Sequence, residues 1–137
     1  MNDAVTPAQK IAVATTDNPK VIPGRRDFFS YVDLGVEDAS NGAMKAQIMR
    51  SDKGLTSPTG WHYHVCQQQF IYIVKGWVDL TFEDGRSIRL KQGDSMMIPG
   101  GTRHNETGTS TDLEVLEVNT PATFGTVPCD PPAGMPA

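Results

Sequence analysis

All three histidines of this chain fall within two short segments, a concentration that random scatter makes unlikely. His62 and His64 sit one residue apart in Gly60-Trp61-His62-Tyr63-His64. Side chains two apart on a strand point to the same face, so both imidazoles project into one cavity. Imidazole nitrogens bind zinc at about 2.0–2.1 Å and suit iron, nickel and copper as well. A pair is not a complete site. The third candidate lies in Gly93-Asp94-Ser95-Met96-Met97-Ile98-Pro99-Gly100-Gly101-Thr102-Arg103-His104, where a short apolar strand runs into a Pro-Gly-Gly turn. That turn lets the chain reverse and present His104 to the same cavity. A lone histidine is ordinarily structural; three in this arrangement point to a metal.

The spacing has a counterpart. The first segment resembles the first cupin motif, in which His-x-His is followed by an acidic residue and then a glycine. His62, His64 and Gly76 match, with Gln69 at the acidic position. The second segment resembles the second motif, Gly-x₅-Pro-x-Gly-x₂-His, through Gly93, Pro99, Gly101 and His104 without a gap. The short spacer Trp77 to Gln92 is similar to that of small single-domain microbial cupins. The resemblance implies an all-β fold, a single jelly-roll (cupin) β-barrel. It also implies one divalent metal ion (Fe, Zn, Ni, Mn or Cu) on His62, His64 and His104, with Gln69 at the fourth position. A cupin that keeps the barrel and binds its ligand without metal is the alternative.

Three positions depart from the pattern. Thr56 stands where a glycine is expected before the first histidine, and Gly108 where an asparagine is expected after the last, although Asn105 follows His104 directly. Gln69 is the departure that matters chemically. A carboxylate there would cut the charge of a divalent site from +2 to about +1. The amide oxygen of Gln69 is a weaker ligand, or it serves as a hydrogen-bonding group beside the ligands. Three neutral imidazoles would keep the full charge, lowering metal affinity and welcoming an anionic ligand. Such a set suits Lewis-acid catalysis, water activation or iron-based oxygen chemistry.

The elements that must position these residues read as short strands divided by turn signals. Asp27 to Leu34, Ala43 to Arg50, Phe70 to Lys75, Trp77 to Phe82, Arg86 to Leu90 and Leu113 to Val118 are the clearest. Glu83-Asp84-Gly85-Arg86 carries the Asp-Gly hairpin signal. Thr6 to Ala14 has room for one short helix. Regularly spaced strands of this kind argue for an antiparallel sandwich or barrel. The expected organisation is an N-terminal arm over 1–20, the barrel over 21–120 and a Pro-rich tail over 121–137. Half of the ten prolines lie in that tail, which argues against a central strand there, since proline lacks the ladder donor.

Several other residues carry plainer expectations. Phe70, Tyr72 and Val74 alternate onto an outer face that is awkward in water and predicts a homodimer. Met96, Met97 and Ile98 read as a buried strand, Trp61 and Trp77 as packing, Cys66 as an inert thiol and Arg103 as a solvated arginine. Glu114 and Glu117 flank the last strand, where either a catalytic base or a surface charge fits. A net charge of −4 without a basic patch excludes nucleic acid as a partner. No apolar run is long enough for a membrane span. Two cysteines make no disulfide framework, so a reducing cytoplasm is expected. The expected partner is a small-molecule ligand or substrate. By resemblance the leading activity is a dioxygenase-like oxidoreductase. A metal-dependent isomerase or lyase and a non-catalytic binding or sensing module stand beside it.

Overall fold

The structure is a computed structural model that describes residues 8–23, 29–122 and 125–137. Its strands are β1 (Lys20–Pro23), β2 (Ser30–Asp33), β3 (Lys45–Arg50), β4 (His62–Val65), β5 (Gln68–Lys75) and β6 (Trp77–Phe82). They continue with β7 (Ser87–Lys91), β8 (Ser95–Pro99), β9 (His104–Thr109), β10 (Glu114–Thr120) and β11 (Gly125–Pro128). One helical turn, α1 (Val36–Ala39), follows β2. The strands form two sheets, β1-β2-β3-β10-β5-β8 and β11-β4-β9-β6-β7, whose ladders are antiparallel. From β3 onward each strand crosses to the other sheet from the one before it, except at the β6–β7 hairpin. The fold is therefore a jelly-roll barrel, and the described residues are all-β apart from that single turn.

Alternation sets the faces. On β5, Gln69, Ile71 and Ile73 are buried while Phe70, Tyr72 and Val74 are exposed. On β6, Val78, Leu80 and Phe82 turn inward. These residues meet Met49, Leu90, Ile98, Leu113 and Val115 in one core between the sheets. Register then divides the interior into layers: Val115 lies between Ile73 and Met49, Glu117 between Ile71 and Gln47, and Asn119 between Gln69 and Lys45. The barrel is apolar at one end and grows polar toward the other, where the histidines stand.

Several elements differ from expectation. Residues 8–14 form no helix, and the start of the expected 6–14 segment lies outside the described residues. The Met96-Met97-Ile98 strand forms as β8, yet only Ile98 is buried and Met97 faces outward, because an edge strand with one covered face cannot bury adjacent residues. Past residue 120 the chain supplies β11, which pairs with β4 at a sheet edge. Gly76 joins β5 to β6 at φ +78°, where a Cβ would overlap the Ser110 hydroxyl, so the motif glycine has a steric reason.

Candidate metal centre

Both histidines of the His-x-His pair lie on β4, and His104 opens β9, whose backbone is in register with His62. The three rings gather with centroids 4.4–5.4 Å apart. One nitrogen from each lies within 4.8 Å of the others. Two nitrogens at about 2.0–2.1 Å from one ion stand at most about 4.2 Å apart, so a small inward movement seats a metal. Among the described residues this is the one group of three such donors.

The rings are held from behind. His62 Nδ1 donates to the Gly60 carbonyl at 2.7 Å and His104 Nδ1 to the Thr102 carbonyl at 2.9 Å. A carbonyl only accepts, so each neutral ring carries its lone pair on Nε2, the tautomer a metal requires. His64 Nδ1 meets Thr126 Oγ1 at 3.0 Å. Asn105, fully buried beside His104, accepts from the Gly60 amide at 3.0 Å and so fixes the turn that anchors His62. Burial and the nearby His62 lower the His104 pKa, which favours the neutral ligand form. The donor set fits a divalent ion.

Gln69 is buried and lines the same cavity from β5, on the opposite sheet. A carboxylate does stand at the cluster, but not at position 69. Glu106 Oε1 lies 3.7 Å from His62 Nε2. Burial alone would raise the Glu106 pKa, but His62, aided by His104 and His64, outweighs it and brings the group to about 2. Glu106 thus adds a negative charge beside the three neutral imidazoles, because it lies two residues past His104 and shares its strand face. Period two, the rule that paired His62 with His64, was the signal for it.

A cavity of about 290 Å³ opens over His62 and His64. Phe29, Tyr31 and Met49 form an apolar wall, and Gln47, Glu106 and Glu117 add polar groups. Glu114 and Glu117 separate cleanly. Glu114 pairs with Arg50 at 3.5 Å, whereas Glu117 faces the cavity and accepts a hydrogen bond from Gln47 Nε2 at 2.9 Å. Burial pushes the Glu117 carboxyl up to about 7, with the Gln47 hydrogen bond opposing and the Glu106 charge adding to the rise. Arg103 lies by Glu83 at 3.7 Å. Cys66 is half-buried rather than fully enclosed, and burial raises its thiol pKa, which keeps it protonated and unreactive.

Fold and site together define a barrel with a three-histidine cluster suited to a metal ion, beside an internal cavity. The chain belongs to the cupin family: the Cupin domain profile matches residues 47–119. No curated protein matches it in sequence. Among solved structures it is similar to the polyketide cyclase RemF of Streptomyces resistomycificus, with TM-score 0.69 and 17% identity over 86% of this chain and 84% of that one. The Streptomyces nucleoside dehydratase Pac13 aligns at TM-score 0.60 and 14% identity over 90% and 96% of the two chains. A salicylate 1,2-dioxygenase from Pseudaminobacter salicylatoxidans aligns at TM-score 0.57 and 12% identity, over 70% of this chain and 27% of that one.

Proposed function

We propose that this cupin is a metal-dependent enzyme that moves a proton on a small organic molecule, as an isomerase or lyase does. The carrying observation is that the Glu117 carboxyl shares one cavity with His62 and His64, whose cluster His104 completes. A divalent ion held there by His62, His64 and His104, with Gln69 as fourth ligand or as a hydrogen-bonding partner, supplies Lewis-acid polarisation of a substrate oxygen. Glu117 Oε1 is engaged by Gln47, so Oε2 carries the exchangeable proton. A group with a pKa near neutrality both takes and returns a proton at little cost. Phe29, Tyr31 and Met49 cover the apolar part of the substrate and exclude water, while Lys45 offers a cation to an anionic substituent.

A second reading, the dioxygenase, is favoured by the donor set itself, since three imidazoles suit ferrous iron. The similar folds include a cyclase, a dehydratase and a dioxygenase, so the pocket rather than the barrel must decide. The apolar stripe of Phe70, Tyr72, Val74 and Met97 supports a homodimer packed through that sheet.

The test is a panel of hydroxylated and enolisable compounds offered to protein loaded with zinc, iron, nickel, manganese or copper, with and without oxygen. Anaerobic turnover that Glu117→Gln abolishes without loss of metal supports the proton-transfer enzyme. Oxygen consumption by the iron form supports the dioxygenase. Silence from every metal form leaves a binding module.

A further inference from the structure

The three histidines are not anchored alike. His62 and His104 lean on carbonyls two residues before themselves, Gly60 and Thr102, so their orientation is settled within the local turn. His64 instead meets the hydroxyl of Thr126, which lies 62 residues away in the Pro-rich C-terminal segment. Thr126 stands directly opposite His64 in the β4–β11 ladder, flanked by the Val65–Gly125 and Tyr63–Val127 pairs. The same segment is tied down twice more. The Cys129 amide donates to the Trp61 carbonyl at 3.0 Å, and the buried Trp61 donates through Nε1 to the Pro136 carbonyl at 3.0 Å. The tail thus runs along the strand that carries the histidine pair and touches it at its histidine, at its leading tryptophan and along its edge.

We propose that Thr126 is a positioning residue of the metal centre, and that docking of the 125–137 tail and metal binding are coupled. The inference rests on the reading of the three histidines as a metal site. With Nδ1–H donated to Thr126 Oγ1, His64 is held as the Nε2 ligand with its ring turned toward the other two. Without that acceptor the ring of this half-exposed residue gains freedom that the metal must then remove. Coupling is reciprocal: if the docked tail tightens metal binding by some factor, bound metal tightens docking of the tail by the same factor. The tail is therefore part of the site, although proline-rich composition argues it out of the barrel.

The test uses the full-length chain and zinc alone. Zinc affinity is measured by chelator competition for the wild type, Thr126→Val and Thr126→Ser. Hydrogen exchange of residues 125–137 is followed with and without zinc. Valine keeps the β-branched shape and removes the acceptor, so affinity should fall about 10- to 100-fold, the range for partners behind a metal ligand. Serine should restore it to within a few-fold. Zinc should slow exchange across the tail of the wild type and do so less in Thr126→Val. Should Thr126→Val fail to fold, the serine variant and the wild-type exchange data still decide. Wild-type protein that binds zinc with no change in tail exchange, or with equal affinity in folded Thr126→Val, overturns the coupling and leaves the metal site standing. Wild-type protein that binds no zinc overturns the metal reading itself, and the coupling with it.

Discussion

Replacing Glu117 by glutamine should change how the stability of the metal-free protein depends on pH. Burial raises the Glu117 carboxyl from 4.5 to about 7 in the folded chain. The native state therefore holds a proton that the unfolded chain has already lost across that window. Wild-type stability should then be complete below about pH 4.5 and fall as pH rises toward 7, the direction opposite to a salt-bridged carboxylate. Each pKa unit is worth 1.36 kcal/mol, so the full shift corresponds to about 3 kcal/mol. Glu117 is half-buried, and screening by solvent reduces this to roughly 1–3 kcal/mol. Glutamine resembles the neutral acid and still accepts from Gln47 through its amide oxygen. The variant should match the wild type at pH 5 and exceed it at pH 8. Urea denaturation of chelator-treated protein at pH 5, 6, 7 and 8 measures this. With an m-value near 2 kcal/mol/M, the midpoints should separate by about 1 M at the alkaline end. Groups that do not sense position 117 contribute equally in both proteins and cancel in the difference. Parallel curves, with a constant gap from pH 5 to 8, would refute the reasoning, because Glu117 would then titrate as an ordinary surface carboxylate.

Other perturbations have equally definite outcomes. Gln69→Glu brings a carboxylate to the cavity wall and should raise zinc affinity in chelator competition; affinity unchanged or lower would show that position 69 does not sense the metal. Gly100→Ala would drive a Cβ into the Cys66 carbonyl, and the adjacent Gly101 amide donates to the His64 carbonyl at 2.9 Å. It should cost about 1–3 kcal/mol in chemical denaturation and also weaken zinc binding, whereas wild-type values for both would mean that the turn yields freely. Asn119 is fully buried, and neither polar atom of its side chain finds a hydrogen-bond partner among the described residues. Asn119→Leu should therefore leave thermal stability unchanged or raise it, instead of causing the loss usual at a buried position.

What the chain determines by itself follows from short-range rules. Two-residue alternation places His62 and His64 on one face, and it separates Ile71 and Ile73 from Phe70 and Tyr72. Asp84-Gly85 closes the β6–β7 hairpin, with Gly85 at φ +91°. The Pro99-Gly100-Gly101 turn brings His104 back to the pair, as its spacing requires. Alternation carried one step past His104 also reaches Glu106. Pairing between distant segments decided the rest. Alternation puts Glu114 and Glu117, three residues apart on one strand, on opposite faces, but only the approach of Gln47 and the closure of the barrel make one face the cavity and leave the other beside Arg50. Thr126 reaches His64 because β11 pairs with β4, a contact that no local periodicity encodes. Local sterics and side-chain period are properties of the chain, whereas desolvation and the partners of a charge exist only once the two sheets have closed.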